Sequence, residues 1–174
     1  MRPKPAAVDK LRKMKNQAAD RLTPLQAWEK MKGWCAYQER CQHEVYQKLR
    51  AAGLTASEAD TTIARLIEEN YLNEERFACQ FAGGHFRLKK WGKKKIEYAL
   101  RQKQISDYCI RKALLQIEDD AYAQTLQKLA RAKWESVKQG TPAQRWAKTR
   151  LYLLQKGFAP DAVLTMLRQL QQQG

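Results

Sequence analysis

Residues 49–66 read LRAAGLTASEADTTIARL, and the same arrangement returns as LRQKQISDYCIRKALLQI at 100–117 and as LLQKGFAPDAVLTMLRQL at 153–170. In the first copy the apolar frame is Leu49, Leu54, Ala59, Thr62, Ile63 and Leu66; in the second it is Leu100, Ile105, Ile110, Ala113, Leu114 and Ile117. The third keeps the same offsets with Leu153, Phe158, Val163, Met166, Leu167 and Leu170. The steps are 51 residues from Leu54 to Ile105 and 53 from Ile105 to Phe158. One supersecondary unit used three times is the simplest reading of such a period.

Each copy reads as helix, turn, helix. The last four frame positions are spaced three, four and seven apart, which places them on one helical face. Gly53 and Gly157 stand where the preceding helix must stop, at a position that favours a left-handed backbone; Gln104 holds that place in the middle copy. Starts are marked too. Thr55 with Glu58 forms a capping box, Ser106 caps the second copy, and Pro160 sits in the first turn of the third. A further helix precedes each pair, over about Leu25 to Glu39, Asn73 to Lys90 and Ala121 to Gln139. Thr23-Pro24-Leu25-Gln26 and Thr141-Pro142-Ala143-Gln144 repeat one start signal of hydroxyl, proline and glutamine. Inside the second of these helices, Gly83-Gly84 predicts a bend or a close helix contact.

The expected fold is therefore all-α, an elongated tandem array of three three-helix repeats over 23–72, 73–119 and 120–174, with a basic, flexible arm at 1–22. Composition agrees, since Ala, Leu, Gln, Glu, Lys and Arg dominate while Gly and Pro are sparse. No apolar run approaches the ~20 residues of a membrane span and the N-terminus carries no apolar signal core, so a cytoplasmic chain is expected. Cys35, Cys41, Cys79 and Cys109 match neither CxxC pairs nor a disulfide framework. Cys41, His43 and His85 lack the spacing of a metal site, so neither metal nor cofactor is expected. The acids between Glu58 and Glu75 and at Glu118-Asp119-Asp120 have no histidine or glycine-rich phosphate loop beside them, and a non-enzymatic protein follows, with no small-molecule substrate.

Lys and Arg outnumber Asp and Glu by 33 to 18, a net charge of +15, so the natural partners are polyanions. The densest patch is Arg87, Lys89, Lys90, Lys93, Lys94, Lys95, Arg101 and Lys103, interrupted by one acid, Glu97, and holding Trp91. Such a cluster suits phosphates or an acidic protein groove. A second set comprises Arg145, Lys148 and Arg150, with Lys128, Arg131 and Lys133 on the helix before it. Arg150 falls on the apolar side of its helix and is expected to snorkel or pair with an acid. Trp28, Trp34, Trp134 and Trp146 read as core residues.

The run Leu66-Ile67-Glu68-Glu69-Asn70-Tyr71-Leu72-Asn73-Glu74-Glu75-Arg76-Phe77-Ala78 resembles the corresponding segment of RecX proteins. So does Arg87 through Gly92 to Ile96 and Leu100, like that family's basic stretch, with Leu49-Arg50, Gly53-Leu54 and Lys156-Gly157-Phe158 as further matches. The resemblance spans about Trp34 to Leu170 and departs at Gln104, where the family has glycine. It implies tandem three-helix units and a regulator that binds in the groove of the RecA filament on DNA and modulates, chiefly inhibits, recombinase, ATPase and coprotease activities in DNA repair, recombination and the SOS response. It transfers no catalytic residue. A monomer is expected, with DNA a possible contact. The alternative is a stand-alone DNA-binding helical protein, which would show an Arg-, Asn- and Gln-rich recognition helix; a salt-insensitive protein adaptor is a second rival.

Overall fold

The computed structural model describes residues 21–172, so the expected N-terminal arm lies, apart from Arg21 and Leu22, outside the described residues. Among them are nine helices and no strand: α1 Pro24–Tyr37, α2 Gln42–Ala51, α3 Ala56–Glu68, α4 Glu74–Lys89, α5 Lys93–Gln102, α6 Asp107–Leu115, α7 Asp119–Ser136, α8 Pro142–Lys156 and α9 Pro160–Gln172. The helix starts are those the side chains dictate. Thr23 with Gln26, Thr55 with Glu58 and Thr141 with Gln144 form complete capping boxes, and the Ser106 hydroxyl accepts from the Cys109 amide. Each cap is worth about 1 kcal/mol.

The turns between the second and third helix of each triplet are one motif in three sequences. Leu54 N–H donates to Leu49 O at 3.2 Å, Ile105 N–H to Leu100 O at 3.2 Å, and Phe158 N–H to Leu153 O at 3.2 Å. Inside each, the next bond runs from Gly53 to Arg50 O, Gln104 to Arg101 O and Gly157 to Leu154 O. These are Schellman turns, whose residue before the last must adopt a left-handed backbone. Gly53, Gln104 and Gly157 do so, with φ of 91°, 59° and 89°. The apolar pair that closes such a turn supplies the first two residues of the repeated frame, and all six are buried.

The chain divides into two compact units, to Glu74 and from Glu75. In the first, α3 packs on both α1 and α2 around Trp28, Met31, Val45, Leu49, Leu54 and Leu66. The second holds two helix triplets: α5 packs on α6, while α7, α8 and α9 pack mutually around Leu126, Leu153, Phe158, Val163 and Leu167.

Within the second unit the two triplets join end to end. Gly92 is the N-cap of α5 and has no side chain to offer; the first turn that follows is Lys93-Lys94-Lys95, with no acid. Three cations at the positive end of a helix dipole are unfavourable alone. The end of α8 resolves this. Gly92 N–H donates to Lys156 O at 2.7 Å and Lys94 N–H to Gly157 O at 3.1 Å. The Tyr122 hydroxyl oxygen of α7 accepts from the backbone of Lys93, and from Ala159 N–H at 3.3 Å. The orphan amides of one helix thus meet the orphan carbonyls of another. The approach is so close that a Cβ on Gly92 would sit 2.2 Å from Gly157 O, and one on Gly157 would sit 2.3 Å from Lys95 Cβ.

Gly92→Ala keeps an ordinary φ of −76° yet collides with backbone, so it should cost about 2 kcal/mol, the middle of the overpacking range, read as a lowered denaturation midpoint. Gln104→Gly should act oppositely. Relief of its left-handed strain, less the unfolded-state entropy of glycine, leaves about 0.5–1 kcal/mol of gain, or about 2 °C in melting temperature.

Candidate interaction surface

The lysines of the basic run have different duties. Lys93 Nζ reaches Asp119 Oδ1 at 2.9 Å, and Lys95 Nζ donates to Gln155 O at 3.2 Å. In the reverse direction Lys156 Nζ donates to Lys89 O at 3.2 Å. Lys93 and Lys95, both half-buried, therefore help to fasten the two triplets of the second unit. Arg87, Lys89, Lys90 and Lys94 are exposed at the end of α4 and the start of α5. Lys90 takes the left-handed position (φ 54°) that ends α4, its N–H bonded to Phe86 O at 3.1 Å.

Arg101 and Lys103 belong to the opposite end of α5, about 12 Å along the helix from Lys93. Arg101 bridges Glu97 and Asp107 at 3.1 and 2.6 Å, and the hydrogen bonds it donates to Glu97 foremost favour its charged guanidinium. Lys103 Nζ lies over the Phe77 and Phe81 rings, at 5.9 and 5.8 Å. In the second basic set Arg145 is half-buried: its Nε donates to Val137 O at 3.0 Å and its guanidinium lies 5.5 Å from the Trp134 ring. Lys148 is exposed farther along α8, and Arg150 is exposed 6.0 Å over Trp146, its charge in solvent as a snorkelling arginine requires. Trp28 is buried, while Trp34, Trp134 and Trp146 pack half-buried against the two cores.

Gly83-Gly84 produces neither a break in α4 nor a close helix contact. A Cβ on Gly83 would meet the Arg87 guanidinium, 2.8 Å from Nη1, and one on Gly84 would meet nothing within 4 Å. The pair leaves helix backbone bare, with Arg87 folded back along it.

His85 has a part that the sequence reading missed, because it was weighed there only as a metal ligand. Phe77, Phe81 and His85 follow at intervals of four on α4, and their rings continue to Trp91, with centroids 5.8, 3.9 and 4.5 Å apart. The fourfold spacing was the available signal. His85 Nδ1 lies 2.9 Å from Phe81 O and Nε2 lies 3.3 Å from Lys89 Nζ. A neutral ring with its proton on Nδ1 satisfies both, donating to the carbonyl and accepting from the ammonium. Lys89 and Lys95 also lie 5.2 and 4.8 Å from the Trp91 ring centre. Among the described residues no group of three or more His, Cys, Asp or Glu is placed to hold a metal, and no helix there is long and apolar enough to cross a membrane.

Burial pushes the His85 imidazole below its usual range, Phe81 O opposes this, and Lys89 and Lys103 add to the depression. The folded state then binds fewer protons than the unfolded one near the free imidazole value. Stability present above about pH 6.5 is lost as pH falls toward the folded value. His85→Phe keeps a ring in the file and does not titrate. It should shrink the drop in melting temperature between about pH 7.5 and about pH 5.5, the span over which a free imidazole protonates; an unchanged drop would show that this ring is not its source.

Three family models match in succession: RecX, first three-helix domain, over residues 27–66; RecX, second three-helix domain, over 73–114; and RecX, third three-helix domain, over 120–167. Regulatory protein RecX of Lactobacillus gasseri is 32% identical over 89 residues, which are 51% of this chain and 33% of that one. Its counterpart in Clostridium tetani is 28% identical over 133 residues, 75% and 61% of the two chains. That of Prosthecochloris aestuarii is 29% identical over 138 residues, 79% and 89%. The chain thus spans about a third of the length of the Lactobacillus relatives it matches. The crystal structure of RecX from Lactobacillus salivarius shares the fold, with a TM-score of 0.77 at 23% identity over 85% of this chain and 96% of that one. Triplet after triplet, the helices fall where this family places them, and the chain belongs to the RecX family of regulatory proteins.

Proposed function

We propose that this protein regulates the RecA recombinase by binding its filament on DNA, without chemistry of its own and without a cofactor. The observation that carries this reading is the one-sided positive surface at the end of α4 and start of α5, where Arg87, Lys89, Lys90 and Lys94 are exposed within a chain of net charge +15. A regulator without a catalytic centre acts by favouring one state of its target over another. Repeats at 23–72, 73–119 and 120–174 engage neighbouring subunits of the filament, so modest contacts add through linkage. The protein acts as a cytoplasmic monomer that biases the filament against growth, lowers recombinase, ATPase and coprotease output, and so tempers DNA repair, recombination and the SOS response. Lys93 and Lys95 contribute charge to this surface while also holding the junction; Arg101 and Lys103 at the other end of α5 and Arg145 and Lys148 of α8 are further cationic contacts in this reading. The stand-alone DNA-binding alternative is less supported, because α3 exposes Asp60 and Glu68, with Glu69 just past its end, where a reading helix would carry Arg, Asn and Gln.

The test compares affinity for RecA filaments on single-stranded DNA with affinity for the same DNA naked, in one buffer of about 0.15 M salt. The filament should bind at least about tenfold tighter, roughly 1.4 kcal/mol, and substoichiometric protein should suppress strand exchange. Equal affinities with no effect on exchange would return the protein to the DNA-binding class. Replacing Arg87, Lys90 and Lys94 by glutamate should abolish suppression while leaving the melting temperature within about 2 °C, since exposed charges contribute little to folding.

A further inference from the structure

We propose that the outer face of the last turns of α4, formed by Gly84, Arg87 and Leu88, with Lys90 just past the helix end, docks an acidic amphipathic helix of a protein partner. This rests on the reading that the basic surface engages a protein assembly, and it names the chemistry of the segment that is engaged.

Leu88 is 84% exposed on a helix whose inner face buries Phe77, Ala78, Ala82 and Phe86. A helical leucine leans toward the N-terminus, over the residue four positions back. That residue is Gly84, and the space where its side chain would stand is empty. Leu88 therefore borders a notch floored by bare helix backbone. Beside it Arg87 is folded back over Gly83, which has room for a guanidinium only because it lacks a Cβ. From Gln80 to Lys89 the helix carries no acid.

Charge and shape together select the occupant. A phosphate backbone would neutralise Arg87 and Lys90 but would leave Leu88 in water. An amphipathic helix places one apolar side chain into the notch against Leu88, and carboxylates three or four residues away reach the cations. Glycine at the contact lets two helix backbones approach closely, which explains a pair that is otherwise unfavourable in a helix and does not break α4 here.

Two substitutions in the full chain test this. Leu88→Ser removes the apolar edge, and Gly84→Leu fills the notch while improving helix propensity, so its effect cannot be ascribed to unfolding. Each should weaken binding to RecA filaments about tenfold, the worth of one buried leucine, and leave affinity for a naked oligonucleotide unchanged. A synthetic helical peptide with leucine at every fourth position and glutamate between should bind the wild type and not Gly84→Leu, whether or not RecA is the target. Absence of peptide binding, or filament affinity unaltered by both substitutions, overturns the docking site and leaves the RecA reading standing. Equal losses for filament and naked DNA make the face a nucleic-acid contact, and self-association abolished by Leu88→Ser makes it a contact between copies; either result also overturns it. A wild type that binds the peptide but not the filament removes RecA as the target and keeps the site.

Discussion

The second unit is organised around the contact between one helix end and another. The last carbonyls of α8 accept the first amides of α5, across two glycines that each forbid a Cβ. Everything nearby follows from that closeness. Helix ends carry unsatisfied groups of opposite character and partial charges of opposite sign, so joining a C-terminus to an N-terminus satisfies both at once. The left-handed turn at Gly157 is what exposes the carbonyls of Lys156 and Gly157 for this use. The helix dipole contact also explains how α5 can begin with three lysines: the negative end of α8, with Asp119, supplies the countercharge that no side chain of the first turn provides.

The same acceptor recurs in the first unit with a different donor. Ala52 stands where Lys156 stands in the third copy of the frame, and its carbonyl accepts the Leu22 amide at 3.2 Å. Arg21 packs on Gly53 and pairs with Glu58. A helix of the preceding triplet and a short extended segment thus answer the same need. The third triplet differs again, because α8 begins about one turn earlier in the frame than α5 does, and its amides are satisfied by its own Thr141 and Gln144. The repeated part of the sequence fixes the Schellman turn; the varied part decides what meets it.

This division accounts for what could be read from the chain. Helix starts and stops are local, settled by residues within four positions of one another, so Thr23, Thr55, Ser106, Thr141, Gly53 and Gly157 declared them openly, and even Gln104 kept the backbone that its neighbours demand. The duties of the lysines were not local. Lys95 finds its carbonyl sixty positions away and Lys93 its carboxylate twenty-six away, and nothing in a run of three lysines distinguishes a fastening from a free charge. Gly83-Gly84 failed as a signal of a close helix contact for a related reason: glycine permits a close approach, but whether another helix comes near is settled by residues far along the chain, and none does at Gly84.

Net charge therefore overstates how much of this surface is free to meet a partner. Arg101 is paired to Glu97 and Asp107, Arg145 to a backbone carbonyl, and Lys93 and Lys95 to the α7–α8 side of their own unit. What remains at the end of α4 is a smaller group whose aromatic neighbours hold Lys89 in place. Long-range attraction depends on the whole charge and brings an anionic assembly near, but it distinguishes one polyanion from another poorly. Discrimination needs a feature that the wrong partner cannot match. An exposed leucine beside bare backbone, set among those cations, is such a feature, because a ligand made only of phosphate gains nothing from it.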